Sequence, residues 1–150
     1  MRELILDITA LGDEGLPAIS KLGSLKRLSL SATRVGDLGL KVIAKIRGLE
    51  SLDLSGTNIT HVGLKYLKPL SNLSHLDLGE NGIRDDGMMH LSAFKNMQSL
   101  TLNYNRLTDL SVDYLKGYKQ LKFLNLKGNL VSDKKKAELI ESMPHTTVNT

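Results

Sequence analysis

The chain has 150 residues, of which 41% are hydrophobic, with a net charge of +4 and a sequence pI near 9.3. That length suits one domain with a real core, and the core must be aliphatic, because there is no Trp and only two Phe. The absence of cysteine excludes a disulfide framework and a thiolate metal site, and no apolar run approaches the roughly 20 residues of a membrane helix.

From the N-terminus, MRELILDITALGDEGL mixes acids with apolar residues and lacks the apolar run of a secretion signal. A soluble cytoplasmic protein is therefore expected. Leu4 and Leu6 alternate with polar or exposed positions, as in a strand, and the spacing then becomes helical from Asp13 onward. The chain begins again at Leu25, and again at Leu49, Leu73, Met97 and Leu121. Six units of 24 residues follow one another without insertion: 1–24, 25–48, 49–72, 73–96, 97–120 and 121–144. A tail of six residues, 145–150, completes a single repeat domain.

Each column of the repeat has a physical task. The fourth and sixth positions are Leu in all six units and predict a short strand with its side chains turned inward. The ninth position is Thr9, Thr33 and Thr57, then Asn81, Asn105 and Asn129, side chains that bond neighbouring backbone where a chain turns. The thirteenth is Asp in every unit but the third, which has His61, and is expected to cap the helical segment that starts there. The fifteenth is Gly15, Gly39, Gly63 and Gly87, then Ser111 and Lys135, where a missing side chain allows close packing. One unit cannot bury enough apolar surface to fold alone, so the units stand only as a stack.

The pattern LxxLxLxxN/TxI/LxDxGLxxLxxL resembles the leucine-rich repeat, and its 24-residue spacing resembles the bacterial GALA-type and cysteine-containing subclasses. The resemblance covers about 144 residues. It implies an α/β fold, a curved right-handed solenoid with a parallel sheet on the concave face and helices on the convex face. It also implies a protein-binding scaffold without enzymatic activity, as in some bacterial effectors. No F-box or ligase segment is present in this sequence, so the ubiquitin-linked activity of some relatives does not carry over. The sixth unit replaces Gly-Leu by Lys135 and Lys136, which predicts a polar cap helix started by Ser132 or Asp133 and ended before Pro144. Thr146 to Val148 then predicts a short edge strand. The first unit has no such cap and places Ile5 and Ile8 where other units are mostly polar.

On the concave face the residues between the leucines form rows. The expected partner-binding set is Arg27, Asp53, His75, Asp77, Glu80, Asn103, Tyr104, Arg106 and Phe123. Asp53 and Asp77 fall side by side, with Glu80 near, as an acidic patch for a basic partner group; Tyr and Arg are frequent hot-spot residues. His75 with these carboxylates has suitable ligand types, but the face is open and shallow, so neither a metal site, a cofactor nor a catalytic dyad is expected.

The basic balance alone would suit nucleic acid or an anionic membrane. Yet Lys21, Lys45, Arg47, Lys68, Lys95, Lys116 and Lys119 fall near helix C-termini, where they complement the dipole, and the concave face mixes seven bases with six acids. The expectation is a monomer with a protein partner and with neither nucleic acid nor membrane, acting in the cytoplasm or, as an effector, inside a host cell. The alternative is a repeat segment of a longer protein whose activity lies elsewhere, with nucleic-acid binding a third and less favoured reading.

Overall fold

A computed structural model describes all residues from Met1 to Thr150. The Leu-x-Leu columns form strands of three residues each: β1 (Glu3–Ile5), β2 (Arg27–Ser29), β3 (Ser51–Asp53), β4 (His75–Asp77), β5 (Ser99–Thr101), β6 (Phe123–Asn125) and β7 (Thr147–Asn149). They make one seven-stranded parallel sheet in chain order. The register keeps the 24-residue period throughout, so Leu4 lies opposite Leu28, Leu28 opposite Leu52, and so on to Leu124. Val148 continues that row opposite Leu124. The tail therefore supplies the strand of a seventh unit, one residue later than the sequence predicts.

Behind the sheet the helical segments are shorter than the apolar spacing suggests. Four units have a single helical turn or little more, such as Leu16–Ile19 and Gly63–Leu67, and a 3-10 turn precedes three of them. Only Asp37–Ile43 and the cap helix Asp133–Ser142 run to seven and ten residues. Ser132 starts the cap helix as expected, accepting a hydrogen bond from the Lys135 N–H. Thirty-six buried apolar residues form one cluster through all units, so no repeat has a private core. Only in the first unit are the strand leucines, Leu4 and Leu6, left partly exposed.

The aspartates at the thirteenth position do not cap their own helices, which is a correction to the sequence reading. All but Asp133, which pairs with Lys136 of its own helix, reach into the next repeat. Asp13 accepts the Gly36 N–H at 2.8 Å. Asp37 accepts the N–H and hydroxyl of Thr60, Asp85 those of Thr108, and Asp109 those of Ser132. The stacked loop of the next repeat offers each carboxylate a fixed backbone N–H, a charge-assisted hydrogen bond. Two glycines at position fifteen, Gly39 and Gly63, lie directly against such a carboxylate. A Cβ on Gly39 would stand 2.4 Å from Asp13 Oδ1, and one on Gly63 would stand 2.2 Å from Asp37 Oδ1. The series is interrupted once, at His61. Its Nε2 lies 3.5 Å from Asp86 Oδ2, and its Nδ1 is enclosed with no hydrogen-bond partner.

Position nine behaves as its chemistry predicts, and in two styles. Thr9, Thr33 and Thr57 each donate to the carbonyl three residues before, all at 2.7 Å. The asparagines do more. Asn105 donates to Leu78 O and Leu102 O and accepts the Ile83 N–H, tying two repeats together.

Candidate functional site

Strand geometry decides which side chains share the open face of the sheet. Residues alternate across a strand, and the leucines at positions four and six are turned into the core, so positions three and five point outward together. The register then sets Arg27, Ser51, His75, Ser99 and Phe123 in one row and Ser29, Asp53, Asp77, Thr101 and Asn125 in the next. Asp53 and Asp77 are directly opposite across neighbouring strands. The sequence-predicted acidic pair is therefore a real neighbour pair on one face.

The two carboxylates are not equivalent. Asp53 Oδ1 accepts the N–H and the hydroxyl of Ser55, at 2.9 and 2.7 Å. Asp77 accepts a hydrogen bond from the Gly79 N–H at 2.9 Å, and Gly79 carries no hydroxyl to add a second. Partial burial of Asp77, assisted by the charges of Asp53 and Glu80, pushes its carboxyl up from 3.8 to about 6 against the pull of the Gly79 N–H and the Thr101 hydroxyl. Asp77 is thus a carboxylate held in an unfavourable charged state near neutral pH. A cation placed beside it would relieve that state.

The residues beyond the strand end follow a rule the sequence did not disclose. Position eight takes a left-handed backbone in all six units: Ile8, Ala32, Gly56, Glu80, Tyr104 and Gly128 have φ between 52° and 73°. This column is a turn past the sheet edge, not part of the strand as the alternation suggested. Only two of the six are glycine, so composition gave no signal. The turn presents Glu80 and the half-exposed Tyr104 beside the acidic pair, where they line a shallow concavity with Asn81. Tyr104 lies against Gly128, whose added Cβ would come within 2.3 Å of the ring. Asn103 fits because Gly79 is bare; a Cβ there would meet Asn103 Oδ1 at 2.5 Å.

His75 shares the strand and face of Asp77, and its Nδ1 is 2.9 Å from Ser74 Oγ. Asp53, His75, Asp77, Glu80, Asn103 and Tyr104 thus form one neighbourhood. Arg27 and Phe123 each lie two strands from His75, along the same row. Phe123 is flanked by Thr147 of the tail strand. Arg106 is exposed but sits past the turn, its N–H bonded to Ile83 O of the preceding unit. The geometry does not gather it with the rest.

Residues 23–83 match the leucine-rich repeat family. No curated protein matches the sequence. Among solved structures, the whole chain is similar to a leucine-rich repeat protein of Leptospira interrogans, with 27% identity and a TM-score of 0.78, over 37% of that chain. It is also similar over 99% of its length to an internalin of Listeria monocytogenes, with 22% identity and a TM-score of 0.60, over 54% of that chain. The chain therefore spans little more than half of either at most. No helix is long and apolar enough to cross a membrane. Seven parallel strands in a 24-residue register, with these likenesses, establish that the chain has the leucine-rich repeat fold.

Proposed function

We propose that residues 1–150 act as one non-catalytic domain that recognises a protein partner through the open face of its sheet. The observation that carries this reading is the Asp53–Asp77 pair, with the Asp77 carboxyl pushed up to about 6. Like charges left opposite each other lower stability. A Lys or Arg from a partner removes that repulsion on binding. Glu80, His75, Asn103 and Tyr104 surround the pair with a polar and aromatic rim, and Arg27 and Phe123 extend it along the row; Arg106 lies outside it. The likeness to a leucine-rich repeat protein of a bacterium is in keeping with a bacterial origin; action as an effector, in the cytoplasm or in a host, is part of this proposal, as is the GALA-like subclass.

The test is affinity capture of partners by the wild type and by Asp53→Lys/Asp77→Lys, followed by identification. The expected result is loss of a partner that the wild type captures. Unchanged capture of a verified direct partner would remove the sheet face from the account.

A second reading is favoured by the first repeat. Ile5 and Ile8 are 61% and 85% exposed, beside an outer strand edge with no neighbour. Such an edge suits another repeat packed against β1, in which case the chain works as part of a larger array.

A further inference from the structure

The segments that return from the helical side to the strands carry a different charge from the rest of the molecule. They comprise positions twenty to twenty-four of each unit and the first two of the next, starting with Met1 and Arg2. Ten bases lie on them: Arg2, Lys21, Lys26, Lys45, Arg47, Lys68, Lys95, Lys116, Lys119 and Lys122. Only two acids do, Glu50 and Glu141, so these segments hold a formal +8 while the remaining ten bases and fourteen acids hold −4. The helix dipole covers only part of this, because its effect is confined to the last turn, whereas Arg2, Lys26 and Lys122 lie just before the strands.

Ion pairing does not account for it either. Lys26 pairs with Glu50, and Lys116 approaches Asp113 and Glu138; the other eight have no acid within reach. The returns stack in register, each donating to the one before, as Lys26 N–H does to Arg2 O and Lys122 N–H to Gln98 O. At about 4.8 Å per strand, the six returns that carry these bases form a basic edge about 24 Å long.

A cleft of about 330 Å³ opens into this edge between the fourth and fifth units. Lys95, Lys119, Ser92, Gln120 and the rings of Tyr114 and Tyr118 line it. Tyr118 is a fixed wall, its hydroxyl donating to Leu91 O. Tyr114 is 40% exposed with no cation over its ring, unlike Tyr66, which lies under Lys41 and Lys65. A second concavity, lined by Gln98, Lys119, Gln120, Lys122 and His145, adjoins it through shared Lys119 and Gln120.

We propose that this edge binds single-stranded nucleic acid, with one nucleotide seated in the cleft. Its base stacks on Tyr114, and Lys95 and Lys119 hold the adjoining phosphates. Arg47 and Lys68 on one side and Lys122 on the other continue the track. A row dominated by lysine suits a repeated backbone charge rather than one oriented carboxylate. An anionic membrane fits less well, because the large apolar side chains exposed on the returns, Met1 and Ile140, stand at the two ends. An acidic peptide makes no use of an open aromatic ring. This surface is separate from the sheet face and does not depend on the reading of that face.

The test is fluorescence anisotropy of the full chain with a labelled oligothymidylate of 15 nucleotides, in rising salt. Parallel titrations use poly-glutamate and phosphatidylserine vesicles. The expected result is binding at about 50 mM salt that weakens steeply, with a log–log slope near −0.7 per phosphate neutralised. Lys95→Glu/Lys119→Glu reduces affinity about tenfold or more and flattens the slope. Tyr114→Ala weakens binding about fivefold or more and leaves the slope unchanged, since stacking is not screened. Arg47→Glu/Lys68→Glu repeats the charge test at a distance from the cleft, and circular dichroism checks the fold of each variant. No binding at low salt, equal affinity for poly-glutamate or for vesicles, or full affinity in the folded lysine variants overturns the proposal.

Discussion

Asp37 grips Thr60, 23 residues later, through both its oxygens: Oδ1 accepts the backbone N–H at 2.8 Å and Oδ2 the hydroxyl at 2.7 Å. At Gly63 a Cβ would stand 2.2 Å from that carboxylate, so a side chain added there must displace it, although Asp85 and Asp109 make the same grip onto units with Ser111 and Lys135 in that place. Asp37→Ala is expected to cost about 1–3 kcal/mol. Gly63→Ala is expected to cost a similar amount, about 1–3 kcal/mol, by displacing the same carboxylate. The pair should be strongly non-additive in a double-mutant cycle from urea denaturation. Additive losses would mean that the glycine serves some other contact.

Asp77 makes stability depend on pH in an unusual direction for a carboxylate. Its folded pKa of about 6 lies above the ordinary 3.8, so the folded chain favours the protonated acid. The stabilisation is fully present below about 3.8 and is lost as pH rises through 6. Asp77→Asn is therefore expected to be more stable than the wild type at pH 7.5, with the difference vanishing by about pH 4. Solvent screening of this partly exposed group keeps the gain well under the roughly 3 kcal/mol that two pKa units imply. Melts of both proteins from pH 4 to 8, with the carboxyl titrated by NMR, measure it.

Asn105 is buried and bonded to four backbone groups across two repeats, Leu78 O, Leu102 O, Asn103 O and the Ile83 N–H. Replacing it by alanine leaves the carbonyls of Leu78 and Leu102 and the N–H of Ile83 without it. The expected cost is about 2–4 kcal/mol, against about 1 kcal/mol for Thr9→Ala, whose exposed hydroxyl makes one bond. Denaturant midpoints at constant m-value provide the comparison.

Ala32 holds φ at 53°, a region that costs an L-residue about 1–2 kcal/mol. Its position is exposed, and Gly56 and Gly128 already fill the same place in other units. Ala32→Gly is expected to raise stability by about 0.5–1 kcal/mol, the strain relieved outweighing the extra freedom of the unfolded chain. A loss on that substitution would show that the methyl group packs to some purpose.

The period was fully legible in the sequence because Leu at positions four and six repeats without exception, and one alternation rule then sets every outward row. That is why Asp53 and Asp77 could be paired before any coordinates. The aspartate column was misread for a reason of distance. A carboxylate at a helix start is a familiar cap, and nothing local in Asp37 announces a partner 23 residues on. The left-handed eighth position was hidden because Ile8, Glu80 and Tyr104 are residues that avoid such backbone. Stacking of the loops imposes it on them. The basic edge was visible residue by residue. It was assigned to helix dipoles, whose effect does not extend to the bases just before the strands.

His61 has one more consequence. Along a stack of repeats, tension applied at the two ends passes through every joint in series, so the least clamped joint yields before the others. Carboxylate clamps fasten the joints on either side, but between the third and fourth units an imidazole stands in that place with one nitrogen unbonded. Under a lengthwise pull that joint is left to other bonds, the Thr57 hydroxyl on Asn81 Oδ1 and the Asn81 amide on Leu54 O, so its resistance rests on one asparagine rather than on a carboxylate.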